Sequence, residues 1–225
     1  MRAKTTHFPS GLGNDPVFDP IYKEIAAHHR TVVAHLAEPN SCWEAPNSAS
    51  PDYNYYRKHP EEYAYLHPEW PSKAAILAAR DHILAENPKL RVVGAHLGSM
   101  EADVNQIAMR FDRYPNFAVD TAARVPYFML QPQDKVRAFL LKYQDRILYG
   151  TDLELSPQDK TAEALKEWTS TYERDWKFFA TDQTVEYNGH NIQGLGLPES
   201  VLRKLYHVNA VRWLPGILGT TQPSN

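Results

Sequence analysis

The sequence predicts an α/β fold in which short parallel strands are covered by helices. Four runs of β-branched or apolar residues each end in a small or polar residue, as buried parallel strands do. They span Thr31 to His35, Leu90 to His96, Asn116 to Asp120 and Arg146 to Asp152. Amphipathic stretches separate these runs, and the resulting alternation of strand and helix is typical of a sheet built from repeated strand–helix units.

Helices are predicted before each of these strands and again towards the end of the chain. The predicted segments are Asp19 to His29, Ser72 to Glu86, Glu101 to Arg113, Pro132 to Tyr143, Pro157 to Phe179 and Pro198 to Trp213. Asn87-Pro88 and Tyr114-Pro115 stop two of these helices, because a residue before proline is disfavoured in the helical region. Asn188-Gly189 predicts a hairpin turn between the last two helices.

Composition limits the class of protein. The 225 residues suit a single domain over residues 1–225, and a net charge of −3 from mixed acidic and basic residues gives no basis for binding nucleic acid or an anionic membrane. No apolar run approaches the ~20 residues that span a bilayer, and the N-terminus lacks the core of a signal peptide. Cys42 is the single cysteine, so no internal disulfide can form and a cytoplasmic location is expected.

The spacing of the strands indicates an insertion. His96 and Asp120 are 24 residues apart and Asp120 and Asp152 are 32 apart, and each interval fits one strand–helix unit. The 61 residues from His35 to His96 leave a surplus, the stretch from Asn40 to Pro71, which is rich in Tyr, Trp and Pro. Because it follows a strand, we expect it to lie over the carboxyl ends of the strands as a long loop that acts as a lid.

Three strand-end residues are the candidates for chemistry. His35, His96 and Asp152 each stand at or near the end of a predicted strand, and the carboxyl ends of parallel strands meet at one face of a sheet or barrel. Two imidazoles and a carboxylate are the ligand types of a catalytic divalent metal ion such as zinc, which acidifies a bound water. The alternative is a set of hydrogen-bonded structural histidines and an aspartate that caps a helix.

Four segments resemble a known family. Val33 to Pro39 resembles the fifth-strand histidine segment of the amidohydrolase-2 family of TIM-barrel metal-dependent hydrolases, and Gly94 to Ser99 resembles its sixth-strand segment. Leu148 to Asp152 resembles the eighth-strand aspartate segment, and Leu197 to Ala210 resembles the closing helix. The resemblance implies a (β/α)8 barrel that is incomplete, with about strands 4 to 8 present and a long insertion after strand 5.

The resemblance also implies roles for individual residues. His35 and Asp152 would hold a divalent metal, and His96 would be a second-metal ligand or would polarise a small-molecule substrate. Asp152 would also take a proton from the attacking water, so Asp152 and His96 are the catalytic candidates. By their position, Arg124 and Tyr127 follow the seventh strand at the same face and could bind a substrate carboxylate; the alternative is a solvated loop arginine. Lys4 falls where a fourth strand would end and is a further candidate.

The sequence departs from the family pattern at its start. The family's first strand carries a His-x-His pair of metal ligands, and no His-x-His occurs in this sequence. The expectation is an N-terminally truncated barrel with open edges near Ala3 to Thr6 and near Ile147 to Thr151, either marginally stable or associated into a homo-oligomer. Three functions stay open: a metal-dependent hydrolase of C–N or C–O bonds, a metal-dependent decarboxylase, and a non-catalytic barrel remnant.

Overall fold

The computed structural model describes residues 12–218 and contains the predicted parallel sheet. Its four strands are β1 (Thr31–Ala34), β2 (Arg91–Gly94), β3 (Phe117–Asp120) and β4 (Ile147–Leu148), hydrogen-bonded in that order and all parallel. Within the described residues the sheet does not close on itself, so the barrel is an incomplete one with β1 and β4 at its edges. The predicted edge at Ala3 to Thr6 lies outside the described residues.

Helices fill the intervals between the strands. They are α1 (Asp19–Ala27), α2 (Tyr53–Lys58), α3 (Lys73–Glu86), the single turn α4 (Ala95–Gly98), α5 (Val104–Arg113), α6 (Val125–Met129), α7 (Gln133–Lys142), α8 (Thr161–Ala180), α9 (Glu199–Arg203) and α10 (Asn209–Trp213). A π-helical turn, Lys204–Val208, joins α9 to α10, so the predicted closing helix forms with one irregular turn. Ser72 caps α3 by accepting a hydrogen bond from the backbone N–H of Ala75, as serine at this position commonly does.

The hairpin and the insertion each form structure of their own. Strands β5 (Thr184–Tyr187) and β6 (His190–Gln193) pair around Asn188 and Gly189, whose φ angles of 50° and 75° confirm the predicted turn. The predicted long insertion from Asn40 to Pro71 is present, and it contains α2 and three short 3-10 turns. It folds because it has its own buried cluster, in which Cys42, Tyr56, Tyr63 and Ala64 pack together.

One face of the sheet carries the main core. Val92, Phe117, Val119 and Ile147 lie in one buried cluster with apolar residues of α5, α7 and α8. Phe117 is completely buried, and Phe178 and Phe179 of α8 are equally inaccessible to solvent. Because apolar area removed from water contributes about 25 cal/mol per Å², this helical layer supplies most of the stabilisation of the sheet.

The closing helix covers the opposite face. Val93, Ala118 and Leu148 point away from the main core and form a second cluster with Trp213 of α10. The Trp213 indole N–H donates to the Asp145 carbonyl at 2.9 Å, and the Thr31 hydroxyl donates to the Trp213 carbonyl. Val33 on the edge strand β1 is left 55% exposed, so one indole covers the inner face of three strands and not of the fourth.

A buried carboxylate anchors α8 to the end of β4. Asp175 is 1% exposed, receives hydrogen bonds from Arg174 and accepts one from the Tyr149 hydroxyl at 3.1 Å. Burial raises the pKa of the Asp175 carboxyl, and the Arg174 charge and the two donors oppose that rise without cancelling it.

No helix among residues 12–218 combines the length and apolarity needed to cross a bilayer.

Replacing the indole that covers the inner face tests this description of the core. Trp213→Ala should lower the free energy of unfolding by about 3–5 kcal/mol, because it opens a cavity against Val93, Ala118 and Leu148. Trp176→Ala is the matched control: Trp176 is 54% exposed, so its loss should cost at most about 1 kcal/mol. Equilibrium urea unfolding measures both, and equal losses would show that Trp213 does not cover the sheet.

The buried Asp175 predicts a pH dependence of stability. Its pKa is raised in the folded state above the ordinary value of 3.8. Its contribution to the free energy of unfolding is therefore fully present at a pH below 3.8 and is lost as the pH rises through the raised pKa. The melting temperature of the protein minus that of Asp175→Asn should therefore fall between acidic and neutral pH. Asp103, whose pKa is lowered by its hydrogen bond from Lys135, is the control, and the same difference for Asp103→Asn should rise with pH. Parallel trends for the two variants would contradict the assignment.

Candidate functional site

The parallel register brings the strand-end residues to one edge of the sheet. Ala34 pairs with Gly94, and Asp120 pairs with Leu148, so the four strands end at similar heights. His35 follows β1 directly, His96 lies two residues beyond β2, and Asp152 lies four residues beyond β4. Because active sites in parallel α/β structures form at this edge, the candidate site is the group of side chains that follows these strands.

The two histidines are in contact. The rings of His35 and His96 meet edge to face, with centroids 4.6 Å apart and planes at 71°. His96 is buried, at 7% exposure, whereas the side chain of His35 is 45% exposed. The His96 imidazole is therefore buried in the fold, whereas the His35 imidazole is accessible to solvent.

The orientation of His96 is set by the loop after β3. Its Nδ1 lies 2.8 Å from the Ala122 carbonyl oxygen, which can only accept, so in the neutral ring Nδ1 carries the proton and Nε2 the lone pair. Its backbone N–H donates to Asp120 Oδ1 at 2.8 Å. These two contacts hold both the backbone and the ring of His96, which is the arrangement that a base or a ligand requires.

His96 stands in a left-handed turn. His96, Leu97, Gly98 and Ser99 have φ angles of 57°, 57°, 60° and 61°. For a residue with a Cβ this conformation costs roughly 1–2 kcal/mol, and such strain is concentrated at functional sites. The fully buried Arg80 supports the turn, because its Nη1 donates to the Gly98 carbonyl at 2.6 Å and its guanidinium lies 4.9 Å above the Phe117 ring.

Two carboxylates beside the histidines were not predicted as site residues. Asp120 ends β3, and burial raises the pKa of its carboxyl, with Asp152 adding to the rise and two backbone N–H donors opposing it. Glu38 lies 3.0 Å from His35 Nε2. Burial would raise the pKa of Glu38, but its hydrogen bond and charge interaction with His35, and the Arg124 charge, lower it overall. Asp120 shares the strand-end signal of His35 and Asp152, whereas Glu38 carries no comparable signal.

The insertion lies over the carboxyl edge, as the sequence predicts. The Asn40 N–H donates to Glu101 Oε1 at 2.9 Å, just beyond the left-handed turn. The Tyr56 hydroxyl donates to Glu38 at 3.3 Å, and the Tyr127 hydroxyl donates to Asp52. The aromatic residues of the insertion pack mainly against one another, and Tyr56 is the one that reaches the carboxylate beside His35.

The substrate-binding candidates are placed differently. Arg124 is 9% exposed and lies at the start of α6, with its guanidinium 5.7 Å from the Tyr127 ring. The Tyr127 hydroxyl is occupied by Asp52, so the ring and not the hydroxyl is available to its neighbours. Lys4 lies outside the described residues.

The His35, His96 and Asp152 side chains are of the types that bind a divalent metal ion, but too few of them converge on one point. Imidazole and carboxylate are the ligands that zinc selects, and a catalytic zinc takes three of them from the protein. Among residues 12–218, no group of three or more His, Cys, Asp and Glu side chains is placed to hold an ion. His35 and His96 come together, and Asp152 does not complete a three-ligand cluster with them.

Adding a methyl group under the turn tests how His96 is positioned. A Cβ at Gly94 would lie 2.7 Å from the Gly98 Cα and 3.0 Å from Phe117, so Gly94→Ala should displace the turn and cost about 1–3 kcal/mol. Gly150→Ala is the control, because its Cβ would meet Ala122 at an ordinary 3.5 Å. Urea unfolding measures the change in the free energy of unfolding, and the NMR signals of the His96 ring report whether the ring has moved. An unshifted His96 signal in Gly94→Ala would contradict this account of the turn.

The chain resembles known proteins over most of its length. The model of the amidohydrolase family matches residues 4–216. A solved structure of an uncharacterised TIM-barrel protein from Bordetella bronchiseptica is 20% identical with a TM-score of 0.45, and covers 91% of this chain and 52% of its own. A protein assigned as an amidohydrolase from Staphylococcus aureus is 16% identical with a TM-score of 0.47, covering 91% and 60%. No curated protein matches the chain. The chain therefore spans between half and two thirds of the length of these two structures.

Proposed function

The chain belongs to the amidohydrolase family, whose model matches residues 4–216, and from this we propose that it is a hydrolase of C–N or C–O bonds in a small molecule. The observation that carries the proposal is the contact of the His35 and His96 rings, 4.6 Å apart at the carboxyl edge of the sheet. Two imidazoles and the nearby carboxylates of Asp120 and Asp152 are groups that can move protons at neutral pH.

His96 is the proposed acid–base or polarising group. With Nδ1 donating to Ala122, its Nε2 is free to accept a proton and, once protonated, to donate one or to polarise a substrate carbonyl. His96 is almost fully buried, so little water competes for this nitrogen. Removing a positioned acid–base group of this kind lowers turnover by about 10²–10⁴-fold.

Asp152 is the proposed acceptor of the water proton. In hydrolysis, one proton of the attacking water passes to the base as its oxygen bonds to the substrate carbon. A proton then returns to the leaving nitrogen or oxygen as the C–N or C–O bond breaks. Asp152 lies close enough to Asp120 for its negative charge to add to the rise in the pKa of the Asp120 carboxyl.

A divalent metal, with zinc as the first candidate, is proposed as the cofactor. Such an ion, when bound, supplies a Lewis acid and lowers the pKa of a coordinated water. His35 and His96 would hold it, with Asp152 as the third ligand that the family resemblance implies. Because residues 12–218 contain no preformed three-ligand group, binding would require Asp152 to move towards the histidines or another ligand to join them.

Two alternatives remain as competing functions. A decarboxylase of the same superfamily would use the same strand-end residues on a C–C bond and would release carbon dioxide. A non-catalytic remnant would keep the fold and lose the chemistry, and the edge strand β1, with Val33 exposed, would then serve self-association. Turnover of a panel of amides, lactones and aromatic carboxylates distinguishes the three, because each gives a different product or none.

Metal content tests the cofactor without reference to the substrate. Protein purified from medium with added Zn²⁺ should retain the ion, measured by elemental mass spectrometry, and His35→Ala and His96→Ala should each bind it at least about tenfold more weakly. His190→Ala is the control, because His190 lies in the β5–β6 hairpin and not among the side chains that follow the parallel strands. Equal metal content in all four proteins would exclude His35 and His96 as ligands and leave a hydrolase to be tested by turnover alone.

A further inference from the structure

Arg124 is a buried guanidinium with no anionic partner among the described residues. It is 9% exposed, and no Asp or Glu oxygen of residues 12–218 lies within 4.0 Å of it. Its Nη1 donates to the Ala123 carbonyl at 3.2 Å, and its Nε is buried without any hydrogen-bond partner. The other deeply buried arginine, Arg80, is by contrast bound to the Asp81 carboxylate at 2.7 Å.

An unpaired buried charge is costly. Taking an ion out of water carries a large penalty, which native proteins offset with a counter-ion and with hydrogen bonds to every donor. The Arg124 charge helps to lower the pKa of Glu38, so this carboxylate offsets part of the cost, but it contacts His35 at 3.0 Å and not the guanidinium. Lys73 is itself a cation, bound to Glu101. Among the described residues the guanidinium therefore lacks a contacting anion and one hydrogen-bond acceptor.

The backbone holds Arg124 at the candidate site. Ala123 has a φ of 54°, an unfavourable value for a residue with a side chain, and its N–H donates to the Thr151 carbonyl at 3.1 Å, next to Asp152. The Arg124 N–H donates to Thr121 at 2.8 Å. Arg124 is thereby fixed between the loops that follow β3 and β4, on the same edge as His96.

We propose that Arg124 binds a carboxylate of the substrate, so that the protein acts on small anionic compounds. This inference rests on the proposed function and adds the class of substrate. A carboxylate is the anion that a guanidinium binds in a two-pronged geometry, and here it would satisfy both the charge and the free Nε–H. Tyr127 contributes its ring, which faces the guanidinium, while its hydroxyl remains bound to Asp52 in the insertion. Tyr127 is thus a positioning residue for Arg124.

The experiment uses the full chain and simple probes. Melting temperatures are measured with acetate, benzoate, phenylacetate and 2-furoate, each up to about 50 mM (roughly ten times a Kd of about 5 mM), and with the corresponding neutral amides. At least one carboxylate should raise the melting temperature by about 3–5 °C, and its amide should not. Arg124→Gln should lose this response, and Arg124→Lys should keep part of it.

Arg146 provides the matched control. Among residues 12–218 it is also a partly buried arginine without an ion pair, but its Nη1 donates to the carbonyls of Phe111 and Tyr114 at 2.7 and 3.1 Å. Without ligand, both Arg146→Met and Arg124→Met should lower the melting temperature. Arg124→Met should lower it less, because the Arg124 guanidinium makes one backbone hydrogen bond at 3.2 Å and no contacting ion pair among these residues.

Three results would overturn the proposal: no carboxylate stabilises the protein beyond its amide, Arg124→Gln keeps the response, or Arg124→Met melts lower than Arg146→Met. These readouts measure binding and stability alone. The carboxylate response can be absent from a protein that still hydrolyses neutral substrates, and it can be present in a protein that binds no metal. Failure of this proposal is therefore distinguishable from failure of the proposed function.

Discussion

The guanidinium of Arg80 donates a hydrogen bond to the Gly98 carbonyl from a fully buried position, and the placement of His96 depends on that contact. The turn after β2 is left-handed at four consecutive residues, three of which carry side chains that disfavour this conformation. Asp81 neutralises Arg80 at 2.7 Å, and Arg110 in turn binds Asp81 at 3.1 Å. A strained segment is thus held by a buried ion network that surrounding helices α3 and α5 supply. The network explains how His96 can point its ring at Ala122 while its backbone binds Asp120.

The surroundings of the two histidines shift the pKa values of two neighbouring carboxyl groups in opposite directions. Burial and a neighbouring carboxylate raise the pKa of Asp120, whereas the contacts of Glu38 with His35 and the Arg124 charge outweigh burial and lower the pKa of Glu38. Carboxyl groups whose pKa values are shifted in opposite directions are a common arrangement in acid–base catalysis. The insertion takes part in this arrangement, because the Tyr56 hydroxyl donates to Glu38 and helps to lower its pKa.

The closing helix and the site occupy opposite ends of the sheet. Trp213 covers the inner face near the amino ends of the strands, where Arg91 also donates to the Arg212 carbonyl at 3.0 Å and Asn209 to the Ile147 carbonyl at 2.8 Å. The closing helix thus adds stability at the amino ends of the strands, and the candidate site lies at their carboxyl ends, as active sites do in parallel α/β structures. The exposed Val33 marks where this cover stops, on the edge strand that carries His35.

The sequence by itself determined the strands, most helices, the hairpin and the edge on which His35, His96 and Asp152 lie, because these follow from local periodicity and from the rule that parallel strands end at one face. Boundaries of β1, β2 and β3 differ from the prediction by one or two residues, and β4 is reduced to Ile147 and Leu148. The family resemblance of short segments is matched by the family model over residues 4–216.

Only the tertiary structure decided which side chains meet. The contact of His35 with Glu38, the left-handed turn at His96 and the absence of a three-ligand cluster within residues 12–218 depend on how loops from different strands pack. The same holds for the insertion, whose order comes from Cys42, Tyr56 and Tyr63 burying one another across sequence separations that no local pattern encodes. Arg124 is the clearest case, since a loop arginine is ordinarily solvated and only its surroundings show that it is buried with no carboxylate of residues 12–218 in contact with it.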